Sequence, residues 1–112
     1  MQAAGVTDDS ARVVTVFRSR LREDAGANGY YELTAKLDAR ARAMPGFVDA
    51  KTFTAADGER VTVVTFDNAE HQRAWGQDPE HREAQRRGRE EFYSEYSISV
   101  CEERHRGVFR RG

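Results

Sequence analysis

The sequence predicts an α+β domain whose elements follow the order β-α-β-β-α-β. Four segments alternate polar with apolar, often β-branched, residues, as strands do. Between them, two segments repeat apolar residues at helical spacing. An Asp-Gly pair separates the second and third strand segments and is typical of a hairpin turn. We therefore expect a four-stranded antiparallel sheet with helices on one face, the ferredoxin-like arrangement.

The first strand is predicted over residues 12–21 (RVVTVFRSRL), where valine, threonine and phenylalanine dominate. The next residues contain two glycines and several acidic side chains, which indicates a loop. Asn28 is the expected N-cap of the helix that follows. From Tyr30 onward, apolar residues keep helical spacing until Pro45. The first helix is therefore expected between Tyr30 and Pro45.

The second and third strands are predicted over residues 47–54 and 60–66, joined by the turn at Asp57 and Gly58. They should pair antiparallel. Both are apolar on more of their length than a solvated face tolerates, so we expect sheets to pack face to face in a homodimer. A charge at Val63 or Val64 should weaken association or folding.

The second helical region should be broken in two. Asp67, followed three residues later by Glu70, predicts a capping box and a helix that starts near Asn68 and carries Trp75. After Gly76 the pattern stops, and Asp78-Pro79 predicts the N-cap and first residue of a new helix. This break should turn Trp75 and the residues after Pro79 toward the same side of the sheet.

His81 lies in the first turn of the new helix. At helical spacing it shares a face with Ala84, Gln85, Gly88 and Phe92. The other faces of the helix are mostly charged, so this face should be the buried one. The fourth strand is predicted over residues 95–103, where apolar and polar residues alternate again.

Composition limits the classes of function. Of 112 residues, 38% are hydrophobic and 33% are charged, and the net charge is −1, which argues against nucleic acid or an anionic membrane as partner. We expect one domain over residues 12–103, a flexible arm over 1–11 and a basic tail over 104–112. The single Cys101 excludes an intramolecular disulfide. With no apolar targeting or membrane-length segment, a cytoplasmic location is expected.

Several motifs together resemble the antibiotic biosynthesis monooxygenase family. They are the Met44-Pro45-Gly46-Phe47 turn, the Asp-Gly hairpin, the strand ending in Phe66, the run WGQDPEH from Trp75 to His81, and the final strand. The resemblance covers residues 12–103. It implies a dimeric α+β barrel and cofactor-independent oxidation by O₂ of a small aromatic, phenolic or polyketide-like substrate in secondary metabolism.

The same family has haem-degrading relatives, which use an asparagine, a tryptophan and a helix-borne histidine that binds iron. Trp75 matches the tryptophan, but the first strand has no asparagine, and Gln85 lies nearer than His81 to the expected ligand position. Haem degradation is therefore the less favoured alternative. The sequence also has no Gly-rich phosphate loop and no metal-ligand spacing among its three histidines, so no cofactor and no metal are predicted.

His81, Trp75 and Tyr93 are the predicted catalytic residues. The unperturbed pKa of histidine, about 6.5, makes His81 a candidate base or donor, although such a histidine equally often only binds a neighbouring loop. Trp75 offers an aromatic wall and an indole N–H, or is simply core. Tyr93 flanks the return of the chain into the sheet. The predicted substrate-binding residues are Tyr96, Phe92, His71, Tyr30 and Phe66.

A second class of function stays open, namely a non-catalytic ligand-binding or dimerisation module on the same fold. An enzyme needs an apolar pocket that contains His81 or another polar group and has room for a ring system. A structural module would fill that space with side chains.

Overall fold

A computed structural model describes residues 11–112 of the chain. The predicted arm over residues 1–11 therefore lies, apart from Ala11, outside the described residues. The elements in chain order are β1 (Val13–Leu21), α1 (Tyr30–Arg42), β2 (Phe47–Thr54), β3 (Arg60–Phe66), α2 (Ala69–Gln77), α3 (Pro79–Arg87), a π-helical turn (Gly88–Phe92) and β4 (Tyr93–Glu102). The four strands form one antiparallel sheet in the order β2-β3-β1-β4. The predicted β-α-β-β-α-β fold is confirmed, with its second helix in two pieces.

The two faces of the sheet have different surroundings. Val64 and Phe66 of β3 pack against the helices, so Val63, the residue before Val64, points to the opposite face. We call this opposite side the far face. Its apolar residues are Val14, Val16, Phe53, Val61 and Val63. Of the two valines expected to lie at an interface, only Val63 is on the far face.

The helix-facing side holds two groups of core residues at opposite ends of the sheet. The tryptophan cluster consists of buried Ala41, Phe66 and Trp75, surrounded by Leu37, Met44, Phe47 and Val64. The tyrosine cluster consists of buried Ala25, Tyr30 and Phe92, surrounded by Leu21, Leu33 and Tyr93. Phe66 ends β3 and Leu21 ends β1, and these strands run antiparallel. Helix α1 spans both clusters, from Tyr30 to Ala41.

The start of α1 differs from the prediction. Gly29, and not Asn28, occupies the cap position, with φ 93°, a left-handed conformation that glycine adopts without steric cost. The Asn28 side chain instead donates a hydrogen bond from Nδ2 to the carbonyl oxygen of Glu91, at 2.8 Å. The amide therefore ties this loop to the π-helical turn, and the predicted Asn28 cap is wrong.

The caps of the next two helices were predicted with mixed success. Asn68 caps α2, since its Oδ1 accepts a hydrogen bond from the backbone N–H of His71 at 2.9 Å. Asp67 is bonded to the side chain of His71, so the predicted capping box is wrong. Asp78 does cap α3, accepting from the backbone N–H of His81 at 3.1 Å, with Pro79 in the first position.

The end of the second helical region also differs from the prediction. After Arg87 the chain forms the π-helical turn, and β4 begins at Tyr93, two residues earlier than predicted. A Cβ atom on Gly88 would lie 2.7 Å from Cε2 of Tyr93, so glycine lets the tyrosine ring pack on the turn. Residues 103–112 form neither helix nor strand. Within residues 11–112, no helix has both the length and the apolar character to cross a membrane.

Candidate functional site

The side chains of Trp75 and His81 stack against each other across the break between α2 and α3. Their ring centroids are 4.2 Å apart and the ring planes differ by 9°. Trp75 lies in the last turn of α2 and His81 in the first turn of α3. The turn at Asp78 and Pro79 reverses the chain enough to bring the rings together, as the predicted break implies.

The hydrogen bond of His81 fixes the position of its proton. Nδ1 lies 3.0 Å from the carbonyl oxygen of Trp75. Because a carbonyl oxygen only accepts hydrogen bonds, Nδ1 is the protonated nitrogen, and in the neutral ring Nε2 carries a free lone pair. Burial lowers the pKa of His81, against the opposing effects of the Trp75 carbonyl and the Asp78 charge. The neutral imidazole, which can accept a proton, is therefore favoured at neutral pH.

Asp78 links the first turn of α3, which carries His81, to helix α1. Its buried carboxylate forms a two-pronged ion pair with Arg40, at 2.6 Å to Nη2 and 2.8 Å to Nε. It also accepts from the backbone N–H of His81. The Arg40 guanidinium, helped by that N–H, lowers the pKa of Asp78 to about 2. The carboxylate therefore stays charged at any ordinary pH and fixes the first turn of α3 relative to α1.

The tyrosine cluster is an aromatic network of different character. Tyr93 lies edge-on to Phe17 and Tyr30, with centroid distances of 5.3 Å and 5.9 Å. Phe92 and Tyr96 extend the network on either side. Burial, together with the neighbouring Tyr30 phenol, raises the pKa of Tyr93. Tyr93 therefore stays protonated at neutral pH, and its hydroxyl group has a proton to donate.

The predicted site residues fall into two groups and one outlier. Trp75, His81 and Phe66 lie at the tryptophan cluster, and Tyr30, Phe92, Tyr93 and Tyr96 lie at or beside the tyrosine cluster. Phe92 lies eleven positions after His81 along the helical region, a rise of roughly 16 Å. His71 binds Asp67 at 2.6 Å and packs against Gly46, where a Cβ atom would overlap the imidazole. The structure thus joins His81 to Trp75 but places the predicted tyrosines further along the fold.

Sequence reasoning missed Arg40 as a site residue and recognised Asp78 only as a helix cap. The Arg40–Asp78 pair joins residues 38 positions apart. Nothing in the spacing of either residue points to the other. The only available signal was the position of Arg40 in the last turn of α1, where a cation also favours the helix dipole.

Two surface clefts, of about 400 Å³ and 250 Å³, lie near the hairpin turn at the end of the sheet. Tyr96 lines the smaller cleft, and neither includes His81 or Trp75. Trp75 is 7% exposed and packs within its cluster. In residues 11–112, no three His, Cys, Asp or Glu side chains are grouped to hold a metal ion.

No family model matches the sequence. The uncharacterised protein YqjZ of Bacillus subtilis is 30% identical over 73 residues, which are 65% of this chain and 64% of YqjZ. The match therefore spans less than two thirds of that relative's length.

Solved structures with the same fold are more numerous. SnoaB, a cofactor-independent oxygenase from Streptomyces nogalater, superimposes with a TM-score of 0.70 at 18% identity, over 86% of this chain and 96% of its own. Rv0793 from Mycobacterium tuberculosis superimposes with a TM-score of 0.75 at 17% identity, over 88% of this chain and 100% of its own. A candidate antibiotic biosynthesis monooxygenase from Nitrosomonas europaea superimposes with a TM-score of 0.70 at 11% identity, over 89% of this chain and 97% of its own. The resemblance indicated by the sequence motifs is therefore confirmed at the level of the fold, which is the ferredoxin-like α+β fold of antibiotic biosynthesis monooxygenases.

Proposed function

We propose that the protein is a small cofactor-independent monooxygenase that oxidises an aromatic, phenolic or polyketide-like metabolite with O₂. The observation that carries this proposal is the stacked pair: His81 is held with Nδ1 protonated and Nε2 free, against the indole of Trp75. The fold shared with SnoaB, a cofactor-independent oxygenase, supports the same class of reaction.

The proposed chemistry begins with a proton transfer. A phenol or an acidic CH₂ group gives its proton to Nε2 of His81, and the resulting electron-rich anion reacts with O₂. In the oxidation of such a CH₂ to a carbonyl, one oxygen atom enters the product and the other leaves as water with the two hydrogens of the CH₂. The substrate thereby supplies all the electrons that reduce O₂. Trp75 would form a flat wall for the aromatic ring.

Arg40 and Asp78 are the proposed positioning residues. They hold the first turn of α3 through the ion pair and the cap, and thereby keep His81 stacked on Trp75. Tyr93 would act as a donor to an oxygen of a long substrate. Tyr96, Phe92 and Tyr30 would supply further aromatic surface, while Phe66 and His71 would shape the tryptophan end.

We also propose that the protein is a homodimer and that it acts in the cytoplasm. The far face supports this assembly because it carries four valines and Phe53, which is 52% exposed in the single chain. Packing two far faces together would remove this apolar surface from water and form a barrel from two sheets.

The alternative function is a non-catalytic binding or dimerisation module. It is favoured by the packing of Trp75 in the core and by the absence of His81 from both clefts near the hairpin turn. Haem degradation is the less favoured alternative. It would give the purified protein a haem absorption band, whereas we expect a colourless protein without flavin or haem.

The test is turnover of a panel of anthrones and naphthols under isotope-labelled O₂, read as label in the product by mass spectrometry. The His81→Ala variant should lose about 10²–10⁴-fold in turnover, as for loss of a general base. Trp75→Phe should chiefly alter substrate binding. His105→Ala is the matched control, since His105 is exposed in the segment that follows β4, and it should keep its turnover. Full activity in His81→Ala would remove it as the base, and no labelled product from any substrate would favour the non-catalytic module.

A further inference from the structure

The cleft of about 400 Å³ lies at the opposite end of β3 from the tryptophan cluster. We call it the Arg60 cleft. It is lined by Arg20, Leu21, Thr54, Asp57, Gly58, Arg60 and Ser94. Arg60 and Phe66 are six positions apart along the strand, which is roughly 20 Å. The Arg60 cleft is therefore distinct from the His81 site.

Arg60 is a half-buried cation on the helix-facing side of β3. Its guanidinium carbon lies 5.8 Å from the centre of the Tyr30 ring. Its Nε is buried and has no hydrogen-bond partner. Among residues 11–112, no carboxylate lies within salt-bridge distance of Arg60. Buried donors in folded proteins nearly always have a partner, so Arg60 is a guanidinium whose hydrogen-bonding capacity the described residues do not fully use.

The other charged groups of the cleft have partners. Arg20 binds the carboxylates of Asp57, at 2.9 Å, and Glu95, at 3.2 Å. The second oxygen of Asp57 accepts a hydrogen bond from the backbone N–H of Glu59 at 3.0 Å. Asp57 is thus paired with Arg20, which it shares with Glu95. Arg60 remains as the lining cation without a counter-ion in the described part of the chain.

The remaining lining suits a small organic molecule. Leu21 offers an apolar surface, and Thr54 and Ser94 offer hydroxyl groups. The volume falls within the range of sites for small ligands. A planar guanidinium matches the two oxygens of a carboxylate, and a single free cation suits one carboxylate better than a multiply charged phosphate. We propose that the Arg60 cleft binds the carboxylate group of a small organic acid.

The test is calorimetric titration of the full chain with benzoate. Benzoate should bind the wild-type chain saturably, and Arg60→Gln should weaken binding at least about tenfold, as for loss of a charge-assisted pair. Arg86→Gln is the matched control, because Arg86 is an exposed arginine paired with Glu83 and Glu90, and it should bind as the wild type does. Benzamide, which has the same ring but no charge, should bind at least about tenfold more weakly.

Thermal melting establishes that each variant is folded. Arg60→Lys keeps the charge but lacks the planar fork, so its affinity should fall between those of wild type and Arg60→Gln. Absence of saturable benzoate binding, equal affinity in Arg60→Gln, equal affinity for benzamide, or equally tight binding of inorganic phosphate would each overturn the proposal. His81→Ala should retain benzoate binding, so failure here and failure of the oxidation are distinguishable.

Discussion

The tryptophan and tyrosine clusters bury titratable groups at opposite ends of one sheet, with opposite consequences for proton transfer. Burial lowers the pKa of His81 and raises the pKa of Tyr93, because in each case it penalises the charged form. The neutral imidazole has a free lone pair, whereas the neutral phenol has a proton to donate. The same physical effect thus leaves a proton acceptor at one end and a hydrogen-bond donor at the other.

The packing of the two ends also differs. At the tryptophan end, Trp75 lies flat against His81, whose ring is oriented by a backbone carbonyl. At the tyrosine end, aromatic rings meet mostly edge to face, and Tyr96 is 38% exposed. One end is therefore a fixed pair within the core, and the other is a network that opens toward solvent.

The largest expected effect on stability is at the tryptophan end. Trp75→Ala should reduce the free energy of unfolding by about 3–5 kcal/mol, because it removes a large buried ring. Tyr96→Ala, at the more exposed end, should reduce it by about 1 kcal/mol or less. Urea denaturation of both variants measures the difference. Equal losses would contradict the contrast between a filled core and an open network.

A second prediction compares the two faces of β3. Val64→Asp places a charge against the tryptophan cluster, where Val64 is partly buried, and should destabilise the fold, because an unpaired charge is unfavourable in apolar surroundings. Val63→Asp places the same charge on the far face and should leave the fold intact but dissociate the proposed homodimer. Sedimentation of the wild type should show twice the 12.7 kDa chain mass. A wild-type monomer, or a Val63→Asp dimer, would contradict the proposed interface.

The smallest effect concerns the pH dependence of stability. The folded-state pKa of His81 lies below its unfolded value of about 6.5, so the unfolded chain binds more protons in this range. Stability should therefore fall as the pH drops below about 6.5 and stop falling, for this residue, below the lowered pKa. His81→Gln should flatten this part of the curve in thermal melts.

Asp78 does not titrate in the pH range of that experiment. Its pKa is lowered from 3.8 to about 2, so its stabilising contribution is present above the unfolded value and is lost only as the pH falls toward 2. The carboxylate of Asp78 therefore stays charged between pH 6.5 and pH 4, so the loss of stability in this range that His81→Gln removes does not come from Asp78. An unchanged slope in His81→Gln would show that another group titrates in that range.

The sequence predicted the strands better than the contacts between elements. The bounds of β2 and β3 are as predicted, because alternation and the Asp-Gly turn at Asp57 and Gly58 are local signals. The Asn28 cap failed because Gly29 adopts the left-handed conformation and Asn28 finds a partner in the distant Glu91. Local patterns cannot report such a partner.

In the candidate site, too, the local contact could be predicted from the sequence and the contacts between distant elements could not. The contact between Trp75 and His81 follows from the break at Pro79, since the two residues are only six positions apart. The Arg40 ion pair and the position of the tyrosines at the other end of the sheet depend on how α1 and α3 pack together. The free Nε of Arg60 is likewise a property of the assembled fold.

The π-helical turn at Gly88–Phe92 sets the rotational phase with which the chain leaves the helix layer. A π turn holds one residue more than an α-helical turn, and each residue in an α-helix advances the chain by about 100°. If the same five residues formed a regular α-helix instead, Phe92, which is 2% exposed, would be rotated by about 100° away from its cluster. The extra residue of the π turn thus determines which aromatic side chain closes the tyrosine end, and a relative with one residue fewer there could bring its aromatic residue to the same place from a regular α-helix.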